Sequence, residues 1–534
     1  MSIDAPPQDT APAEIATKSS APVNTTLLVL IFSYGAVLFA FVPATVRALS
    51  QAWSAVSDDA VIAIRTSDAL TWAGPLLGQH TLVTSAHSVF DPGPLQYWLL
   101  AIPVRIDPQH GALWGAALWC IVAGLITVEA TRRAAGPFGA AIAALLVVWS
   151  VAWVPVIALN PVWNPYMGDL FFFAAVACSF AAICGVPRVW PLAVFAGSVA
   201  VQAHLTFLVP AIALVVVSGS IATAESFRTK KTSWWLAAGL GVGAACWAAP
   251  LAQEMSGHPG NLTLLFNSLN GQHRVGFAFG LRALSSSTAP HPVWLTPVQH
   301  LAIVEAIRGA PLDVGAGVLA LTVAAALVGR WCRSRGLLGL VAVALCLEFG
   351  LVLSYSNIPV AKLQTIGYLL VLMLPVGFVV WLLAAWTAVL LVHRAAAGHE
   401  ALKLKVSRTS ASLVLATAAV GGLALASLIA QAQQVAYGTW METPAAISGV
   451  QTASARIESL VRRGRVEVEV SASGAAPAYS YTTGVVWILK QAGWSPEEDA
   501  PIAAITGSAY EPERGVPVAH VTIAGTSVTV QILR

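Results

Sequence analysis

Long apolar runs alternate with short polar stretches from residue 25 to residue 431. A helix that crosses the hydrocarbon core of a bilayer needs about 20 consecutive apolar residues. Eleven runs approach or reach this length and are predicted to be membrane spans: 25–46, 110–130, 137–157, 168–185, 189–203, 206–222, 234–252, 312–329, 337–354, 364–391 and 410–431. The pattern therefore predicts an all-α polytopic membrane protein.

The composition agrees with this prediction and indicates which classes of partner to expect. Hydrophobic residues make up 57% of the 534 residues and charged residues only 10%, and the mean hydropathy is +0.74. A soluble domain has about 25% charged residues. The net charge is +3, and no basic cluster is interleaved with aromatic residues as a nucleic-acid surface requires. The lipid bilayer is thus an expected partner, and nucleic acid is not.

Lysine and arginine residues indicate the orientation, because cytoplasmic loops carry an excess of them. With a cytoplasmic N-terminus, every predicted inside loop is basic. These loops hold Arg132, Arg133, Arg188, Arg228, Lys230, Lys231, Arg330, Arg333, Arg335, Arg394, Lys403, Lys405 and Arg408. Residues 1–24, rich in Ala, Pro, Thr and Ser, are predicted to be a disordered cytoplasmic tail. We expect a multi-pass protein of the plasma (inner) membrane with its C-terminal segment outside.

This topology puts three long segments outside the membrane. The first, 47–109, contains several charged residues. The second, 253–311, is rich in Gly, Pro, Asn, His and Ser without sustained periodicity, which is typical of a mobile lid or substrate loop. The third, 432–534, has the composition of a soluble domain. In this topology the short apolar stretch "PLQYWLLAIPV" in the first segment does not cross the membrane, and it is predicted to be an interfacial or re-entrant helix with Tyr97 and Trp98 at headgroup level.

The C-terminal segment predicts a small α+β domain. Its pattern indicates a helix over "ISGVQTASARIESLVRR", a strand over "GRVEVEV" and a helix over "TTGVVWILKQAGW" that ends at Gly493. The stretch "VAHVTIAGTSVTVQIL" is predicted to be a hairpin that turns near Gly525. The acidic run Glu497, Glu498 and Asp499 is typical of a solvated turn, so a structural or substrate-holding role is expected for this domain.

Two adjacent carboxylates follow the first span, in "SDDAVIAIRTSDA" at residues 57–69. One interpretation is helix capping: Ser57 is a favourable N-cap, and Asp58 and Asp59 would lie in the first turn, where carboxylates offset the helix dipole. The other is functional, because ionisable groups that face the interior of a membrane protein are costly and usually have a role. The two interpretations are compatible, since a helix start holds a carboxylate rigidly.

The order of motifs from residue 25 to 252 resembles the glycosyltransferase C (GT-C) superfamily. In that family an acidic pair in the first outside loop is followed by a proline-containing turn, juxtamembrane helices and a span that ends in cytoplasmic arginines. Here these are Asp58–Asp59, the turn Asp91-Pro92-Gly93-Pro94, and the arginines Arg132 and Arg133. Beyond residue 252 the plan of further spans and an outside C-terminal domain is similar to actinobacterial-type wall glycosyltransferases.

Two further positions extend or depart from the resemblance. The next outside loop, "ALNPVWNPYMGDL", has Asn160 and Asn164 where relatives often carry a second acidic residue, which leaves a divalent metal ion an open question. In "VQAHLTF", His204 occupies the place where relatives hold a basic residue against the lipid phosphate.

The resemblance implies transfer of a sugar from a polyprenyl-phosphate donor to an extracytoplasmic glycan, glycolipid or protein acceptor, with inversion. Such a reaction needs a base for the acceptor hydroxyl, for which Asp58 is the first candidate and Asp59 the second. Cationic groups would stabilise the departing phosphate. Candidates for this role are Arg65, His204, Arg274, Arg282 and Lys362, and candidates for acceptor or substrate contact are His80, His87, Asp91, Asn160 and Asn164.

Some alternatives are excluded and others stay open. The chain has no Walker-type phosphate loop, GxGxxG, HExxH or GxSxG motif, which argues against an ATP-driven pump, a Rossmann-type transferase and a metalloprotease. A secondary transporter or flippase of lipid-linked sugars remains an alternative, although no internal repeat is visible. A non-catalytic scaffold for wall assembly is the third hypothesis. The identity of the sugar, mannose or arabinose among others, is left open.

Overall fold

The computed structural model of the chain describes residues 25–50, 53–72, 74–81, 89–153, 161–230, 233–268, 270, 272–289, 292–293, 300–363, 370–396, 422, 444–460, 465–470, 475–498, 505–506, 510, 519–524 and 527–532. The tail 1–24, the predicted span 410–431 apart from Gly422, and the candidate residues His87 and Asn160 lie outside this part of the chain.

Helices account for nearly all of the described chain up to residue 396. In chain order they are α1 Thr25–Ser50, α2 Ser57–Asp68, α3 Leu95–Ile106, α4 Gly111–Trp153, α5 Asn164–Ile183, α6 Trp190–Ala203, α7 Leu208–Arg228, α8 Trp234–Ser256, α9 Asn261–Ser268, α10 Phe277–Thr288, α11 His300–Gly309, α12 Leu312–Trp331, α13 Arg335–Ser356 and α14 Leu370–Ala396. Short 3-10 turns cover Pro187–Val189, Leu205–Phe207 and Val360–Lys362.

Within the described residues, eight helices are long and apolar enough to cross a membrane: α1, α4, α5, α7, α8, α12, α13 and α14. Helix α4 contains two of the predicted spans, because the backbone at Gly136 is non-helical, with a φ of 70°, and Pro137 follows. Helix α6 has 14 residues and coincides with a predicted span, although it is shorter than a full crossing. The predicted all-α polytopic membrane fold is therefore confirmed.

Helix α5 lies at the centre of the membrane domain. All of its 20 residues are buried, and it packs against α4, α6, α7, α13 and α14. Its middle contains the consecutive aromatic residues Phe171, Phe172 and Phe173, each 0% exposed. Because large rings fill the space between the surrounding helices, the N-terminus of α5 is held at a defined position at one end of the bundle.

The segment 253–311, predicted to be irregular, contains three helices, α9, α10 and α11. Helix α10 packs against α12, α13 and α14, and its serines, which suggested a loop, are buried. Ser287 donates to the carbonyl oxygen of Ala283 at 2.7 Å, and Thr288 donates to that of Leu284 at 2.8 Å. Hydroxyl groups that bond to their own helix can enter a core. The prediction of an irregular loop was wrong for this reason.

A short antiparallel hairpin precedes α3. Its strands are β1, His80–Thr81, and β2, Val89–Phe90, with His80 opposite Phe90. The hairpin continues towards α3 through two backbone bonds, from Gly78 N–H to the Asp91 carbonyl and from Asp91 N–H to the Gln79 carbonyl, at 3.0 and 2.7 Å. Gln79 and Asp91 therefore lie side by side at the base of the hairpin.

The C-terminal domain has the predicted α+β content. Its elements are α15 Pro444–Leu460, β3 Arg465–Val470, α16 Ala475–Gln491, β4 Ser495–Glu498, β5 Ala519–Ala524 and β6 Ser527–Ile532. The sheet order is β4-β3-β5-β6, with β3 parallel to both of its neighbours and β5 antiparallel to β6. The antiparallel pairing of β5 with β6 agrees with the predicted hairpin; Gly525, where its turn was predicted, lies outside the described residues.

One prediction for this domain was wrong. Glu497 and Glu498, expected in a solvated turn, lie in β4 and are 5% and 0% exposed. The strand pairs in parallel with β3, and this pairing with a non-adjacent segment is invisible in a short acidic run. Asp499 lies outside the described residues.

A second hydrophobic core joins the C-terminal domain to segment 47–109. It includes Ile64 of α2, Leu100 of α3, Val450 of α15 and Trp487 of α16, all buried. Helix α16 packs directly against α2. The C-terminal domain is therefore docked on the helix that carries the acidic pair.

Candidate active site

The acidic pair lies at the start of α2, as predicted, but the capping differs. The N-cap position is Val56, in extended backbone, and no side chain caps the first turn. The prediction of Ser57 as N-cap was therefore wrong. Ser57 is the first helical residue, is 1% exposed, and has a φ of 56°, in the left-handed region that side chains other than Gly seldom adopt. Asp58 and Asp59 occupy the first turn.

The two carboxylates have different surroundings. Asp59 is 1% exposed, whereas Asp58 is half-buried. Asp58 Oδ1 accepts a hydrogen bond from Gln79 Nε2 at 3.2 Å, and Asp58 Oδ2 accepts one from Trp163 Nε1 at 2.9 Å. With a donor on each oxygen, the Asp58 carboxylate is fixed in orientation.

The donor Gln79 is itself held by α3. Tyr97 O–H donates to Gln79 Oε1 at 3.2 Å, and both residues are buried. Burial raises the pKa of Tyr97, so its hydroxyl stays a donor. Tyr97, predicted at headgroup level, is 2% exposed because it faces the hairpin and α2, so its ring packs against protein and not against lipid. A hydrogen-bonded chain thus runs from Tyr97 through Gln79 to Asp58.

The N-terminus of α5 joins Asp58 to a second acidic residue. Trp163, the N-cap residue of α5, binds Asp58. The next residue, Asn164, donates through Nδ2 to Asp91 Oδ2 at 3.2 Å and to the carbonyl oxygen of Ala203 at 2.7 Å. The predicted site residues Asn164 and Asp91 therefore meet, and both are buried. Burial raises the pKa of Asp91 well above its usual range, although the Leu205 N–H and the Asn164 amide act in the opposite direction.

His204 lies beside this pair, at the end of α6. Its Nδ1 accepts a hydrogen bond from the backbone N–H of Thr206 at 3.2 Å. It is 9% exposed, and burial lowers its pKa to about 3. The imidazole is therefore neutral near neutral pH, so it can offer a hydrogen bond to a phosphate but not a positive charge.

His80, in β1, feels the charges of both Asp58 and Lys362. Burial lowers the pKa of His80; the Asp58 carboxylate opposes this shift and the Lys362 ammonium adds to it. Lys362 ends the turn Val360–Lys362, and this turn is attached to the membrane domain by a bond from Val360 N–H to the His273 carbonyl oxygen at 2.9 Å.

The three arginines have different positions. Arg65 lies two helical turns after Asp58 on the same face of α2, and its charge acts on Tyr97. Arg274 donates to Asn357 Oδ1 and forms a backbone bridge with Pro359, next to the Lys362 turn. Arg282 instead donates to the carbonyl oxygen of Arg308 at the end of α11.

Sequence reasoning missed Gln79, Tyr97 and Trp163. Trp163 lies 105 residues from Asp58, so their contact depends on how the start of α5 packs against segment 47–109. The only local signal for Trp163 was its position between two Asn-Pro pairs in "NPVWNP". Gln79 carried no signal.

The arrangement is suited to proton transfer beside an anion. A half-buried carboxylate with fixed orientation can accept a proton from a hydroxyl group within hydrogen-bond reach. Two cations act on neighbours of this carboxylate: Lys362 on His80 and Arg65 on Tyr97. Within the described part of the chain, no group of three or more His, Cys, Asp or Glu side chains is arranged to hold a metal ion.

No protein-family model matches the sequence, and no curated protein does. Solved structures of an oligosaccharyltransferase from the archaeon Archaeoglobus fulgidus are similar to the chain. The form tethered to an acceptor peptide with the NVT sequon is 13% identical, with a TM-score of 0.38, over 86% of this chain and 63% of that one. The apo form is 12% identical, with a TM-score of 0.37, over 86% and 64%.

A third structure, of the archaeal oligosaccharyltransferase from the same organism in complex with an inhibitory peptide and a dolichol-phosphate, is 12% identical, with a TM-score of 0.41, over 93% of this chain and 69% of that one. The chain thus spans less than two thirds of the first two structures that it matches.

Proposed function

We propose that the protein is a membrane glycosyltransferase of the GT-C type. It transfers a sugar from a polyprenyl-phosphate donor to a hydroxyl group of an extracytoplasmic glycan, lipid or protein of the cell envelope. The observation that carries this proposal is the Asp58 carboxylate, oriented by Trp163 and Gln79 at the start of α2. The motif order from residue 25 to 252 supports the same assignment.

Asp58 is the proposed general base. It removes the proton from the acceptor hydroxyl as that oxygen bonds to the anomeric carbon of the sugar. The bond from this carbon to the phosphate oxygen breaks, and the electron pair leaves with the polyprenyl phosphate. A single displacement of this kind inverts the anomeric configuration. The near-complete burial of Asp59 supports Asp58 rather than Asp59 as the group that meets the acceptor.

Lys362, Arg65 and Arg274 are the proposed partners of the phosphate. Negative charge grows on the departing phosphate in the transition state, and fixed cations near it lower the barrier. Lys362 is the strongest candidate because its charge, like that of Asp58, acts on His80. The neutral ring of His80 is the proposed contact for the sugar. Arg282, bound to the end of α11, is assigned a structural role.

Asp91 and Asn164 are proposed to shape the site rather than to bind the acceptor. They bond to each other and are 2% and 5% exposed, which favours a positioning role. The expected orientation, with the N-terminus in the cytoplasm and the C-terminal domain outside the plasma membrane, places this site at the outer surface. A lipid-linked sugar there would meet acceptors of the envelope.

The test is sugar transfer by the purified full-length protein. Polyprenyl-phosphate sugars, mannose and arabinose among them, are offered with an extracted envelope acceptor, and the product linkage is read by mass spectrometry and NMR. The proposal predicts one preferred donor and an inverted linkage. It fails if no donor yields a product, and movement of an intact lipid-linked sugar across proteoliposome membranes would establish a transporter instead.

A further inference from the structure

Helix α16 of the C-terminal domain contacts the start of α2. Thr483 Oγ1–H donates to the carbonyl oxygen of Ser57 at 3.2 Å. Thr483 is 0% exposed and Ser57 is 1% exposed, so water does not compete for this bond. The contact is made one residue before Asp58.

The same helix also holds the end of α2. Lys490 Nζ donates to Asp68 Oδ1 at 2.6 Å, and the two side chains are 24% and 14% exposed. Tyr510 O–H donates to Asp68 Oδ2 at 3.2 Å. Burial and the adjacent Asp68 carboxylate raise the pKa of Tyr510, so the phenol remains a donor. A partly buried pair of this kind is screened less than a surface pair.

Between these two bonds the helices approach closely. A Cβ atom at Gly484 would lie 2.9 Å from Val450 Cγ1 and 3.2 Å from Val56 Cγ1. The missing side chain lets α16 pack against both α15 and the residue that precedes α2. Helix α16 therefore contacts Val56, just before α2, and the first and last residues of α2, Ser57 and Asp68.

The start of α2 depends on this contact. Its first residue, Ser57, has a left-handed backbone, and no side chain caps the helix. A conformation of this kind costs roughly 1–3 kcal/mol and persists only where the surroundings impose it. Here the surroundings include Thr483. The direction in which the Asp58 side chain projects from α2 is thus set partly by a domain that begins almost 400 residues later.

We propose that the C-terminal domain positions the catalytic carboxylate. Thr483 and Lys490 are positioning residues: they hold α2 at both ends, so that Asp58 keeps its bonds to Trp163 and Gln79. The inference rests on the proposed function, because it names the residues that hold the base of that reaction. It gives the C-terminal domain a part in catalysis that needs no sugar-binding site within it.

The first test is kinetic. Thr483→Val keeps the shape of the side chain and removes the donor to Ser57. We expect kcat for sugar transfer to fall about tenfold while KM for the donor stays within about twofold, because a misaligned base affects the transition state and not the binding of the donor. Thr452→Val is the control, since Thr452 is exposed and bonds only within α15, to Ser448. Lys490→Met is expected to act in the same direction as Thr483→Val.

The second test does not depend on activity. Hydrogen–deuterium exchange of the full-length protein in detergent is measured over residues 57–68. Thr483→Val is expected to increase exchange at the start of α2, and Thr452→Val is expected to leave it unchanged. Wild-type exchange in both variants overturns the inference whether or not transfer has been found. Unchanged kcat in an active Thr483→Val protein also overturns it, and a wild-type protein with no transfer contradicts the proposed function instead.

Discussion

Asp58 receives hydrogen bonds from two parts of the chain that meet only in the folded protein. Gln79 comes from the hairpin and Trp163 from the start of α5. Gln79 belongs to a hydrogen-bonded chain that begins at the buried hydroxyl of Tyr97. Trp163 donates directly from its indole N–H at the N-cap of α5. The orientation of the base therefore depends on individual N–H groups that can be removed without changing its charge.

Trp163→Phe removes the indole donor and keeps an aromatic ring. A hydrogen bond to a charged group is worth roughly 1.5–3 kcal/mol, so we expect kcat for sugar transfer to fall roughly 10- to 100-fold. The control is Trp247→Phe, which removes a comparable bond, from Nε1 to Ser198 Oγ at 3.1 Å, away from Asp58. If the two variants show equal rates, Trp163 does not orient the base.

His204 predicts a dependence of stability on pH. Its pKa is lowered to about 3 in the folded protein, against about 6.5 in an unfolded chain. Below pH 6.5 the unfolded state binds a proton that the folded state does not, so stability is lost as the pH falls from 6.5 towards 3. At pH 5 the loss is about 2 kcal/mol.

His204→Gln removes the titrating group and keeps an acceptor for the Thr206 N–H. We expect the drop in Tm between pH 7.5 and pH 5.0 in detergent to be smaller in this variant than in the wild type. His80, whose pKa is also lowered, accounts for part of the drop that remains. An identical drop in variant and wild type would contradict this assignment.

Among the elements, the turn between the hairpin and α3 packs closely against α6, where Gly93 lies next to the Gln202 side chain. Leu95 N–H, at the start of α3, donates to Gln202 Oε1 at 3.3 Å, and Gln202 Nε2 donates to the Cys246 carbonyl oxygen at 2.7 Å. A Cβ atom at Gly93 would lie 2.2 Å from Gln202 Oε1 and 2.7 Å from Pro250 Cγ. The turn between the hairpin and α3 thus requires glycine for space.

Gly93→Ala is expected to displace Gln202 and lower the stability by about 1–3 kcal/mol, the usual cost of overpacking. Since Gln79 lies at the base of the same hairpin, transfer activity is expected to fall as well. Tm and transfer rate are measured beside Gly35→Ala, where no atom lies within 4 Å of the added Cβ. An unchanged Tm in Gly93→Ala would contradict this expectation, because it would show that Gln202 moves aside without loss of stability.

The elements that were predictable from sequence are those with a local signal. Apolar length identified the membrane helices, and the spans predicted at 110–130 and 137–157 are both found in α4, with its non-helical Gly136 between them. Strand alternation and the glycine near 525 identified β3 and the final hairpin. Helix α10 was missed because its serines bond to their own backbone, and β4 because it is defined by pairing with β3. The central place of α5 was not predictable either, since buried and lipid-facing helices are equally apolar.

The site shows the same division between local and long-range information. The helix start at Asp58–Asp59 and the turn at residues 91–94 follow from residue types at short spacing. The contacts of Asp58 with Trp163, of Asn164 with Asp91 and of Thr483 with Ser57 join residues 105, 73 and 426 positions apart. Such contacts are set by the packing of whole helices, which no short motif encodes.

In the whole molecule, the Asp58 site and the C-terminal domain must lie on the same side of the membrane, which the proposed function requires to be the outer side. Their common core and the Lys490–Asp68 pair hold them together, so one orientation applies to both. The basic loops predict that this side is opposite to Arg228 and Lys230.

Sidedness can be measured by cysteine labelling in intact cells. In a variant that lacks the six native cysteines, Ser459→Cys on exposed α15 is expected to react with a membrane-impermeant maleimide. Thr229→Cys, exposed at the end of α7, is expected to react only after the cells are opened. The reverse pattern would place the site in the cytoplasm and remove an extracytoplasmic acceptor from consideration.

Asp58 is the proposed base of the sugar transfer. The most direct measurement is kcat with the preferred polyprenyl-phosphate sugar for wild type, Asp58→Asn and Asp107→Asn in proteoliposomes. Asp107 follows α3 and bonds to Trp114 Nε1, outside the Asp58 cluster. We predict that Asp58→Asn lowers kcat by at least about 10²-fold with Tm preserved, and that Asp107→Asn stays within about twofold of wild type. A wild-type rate in Asp58→Asn would contradict the account.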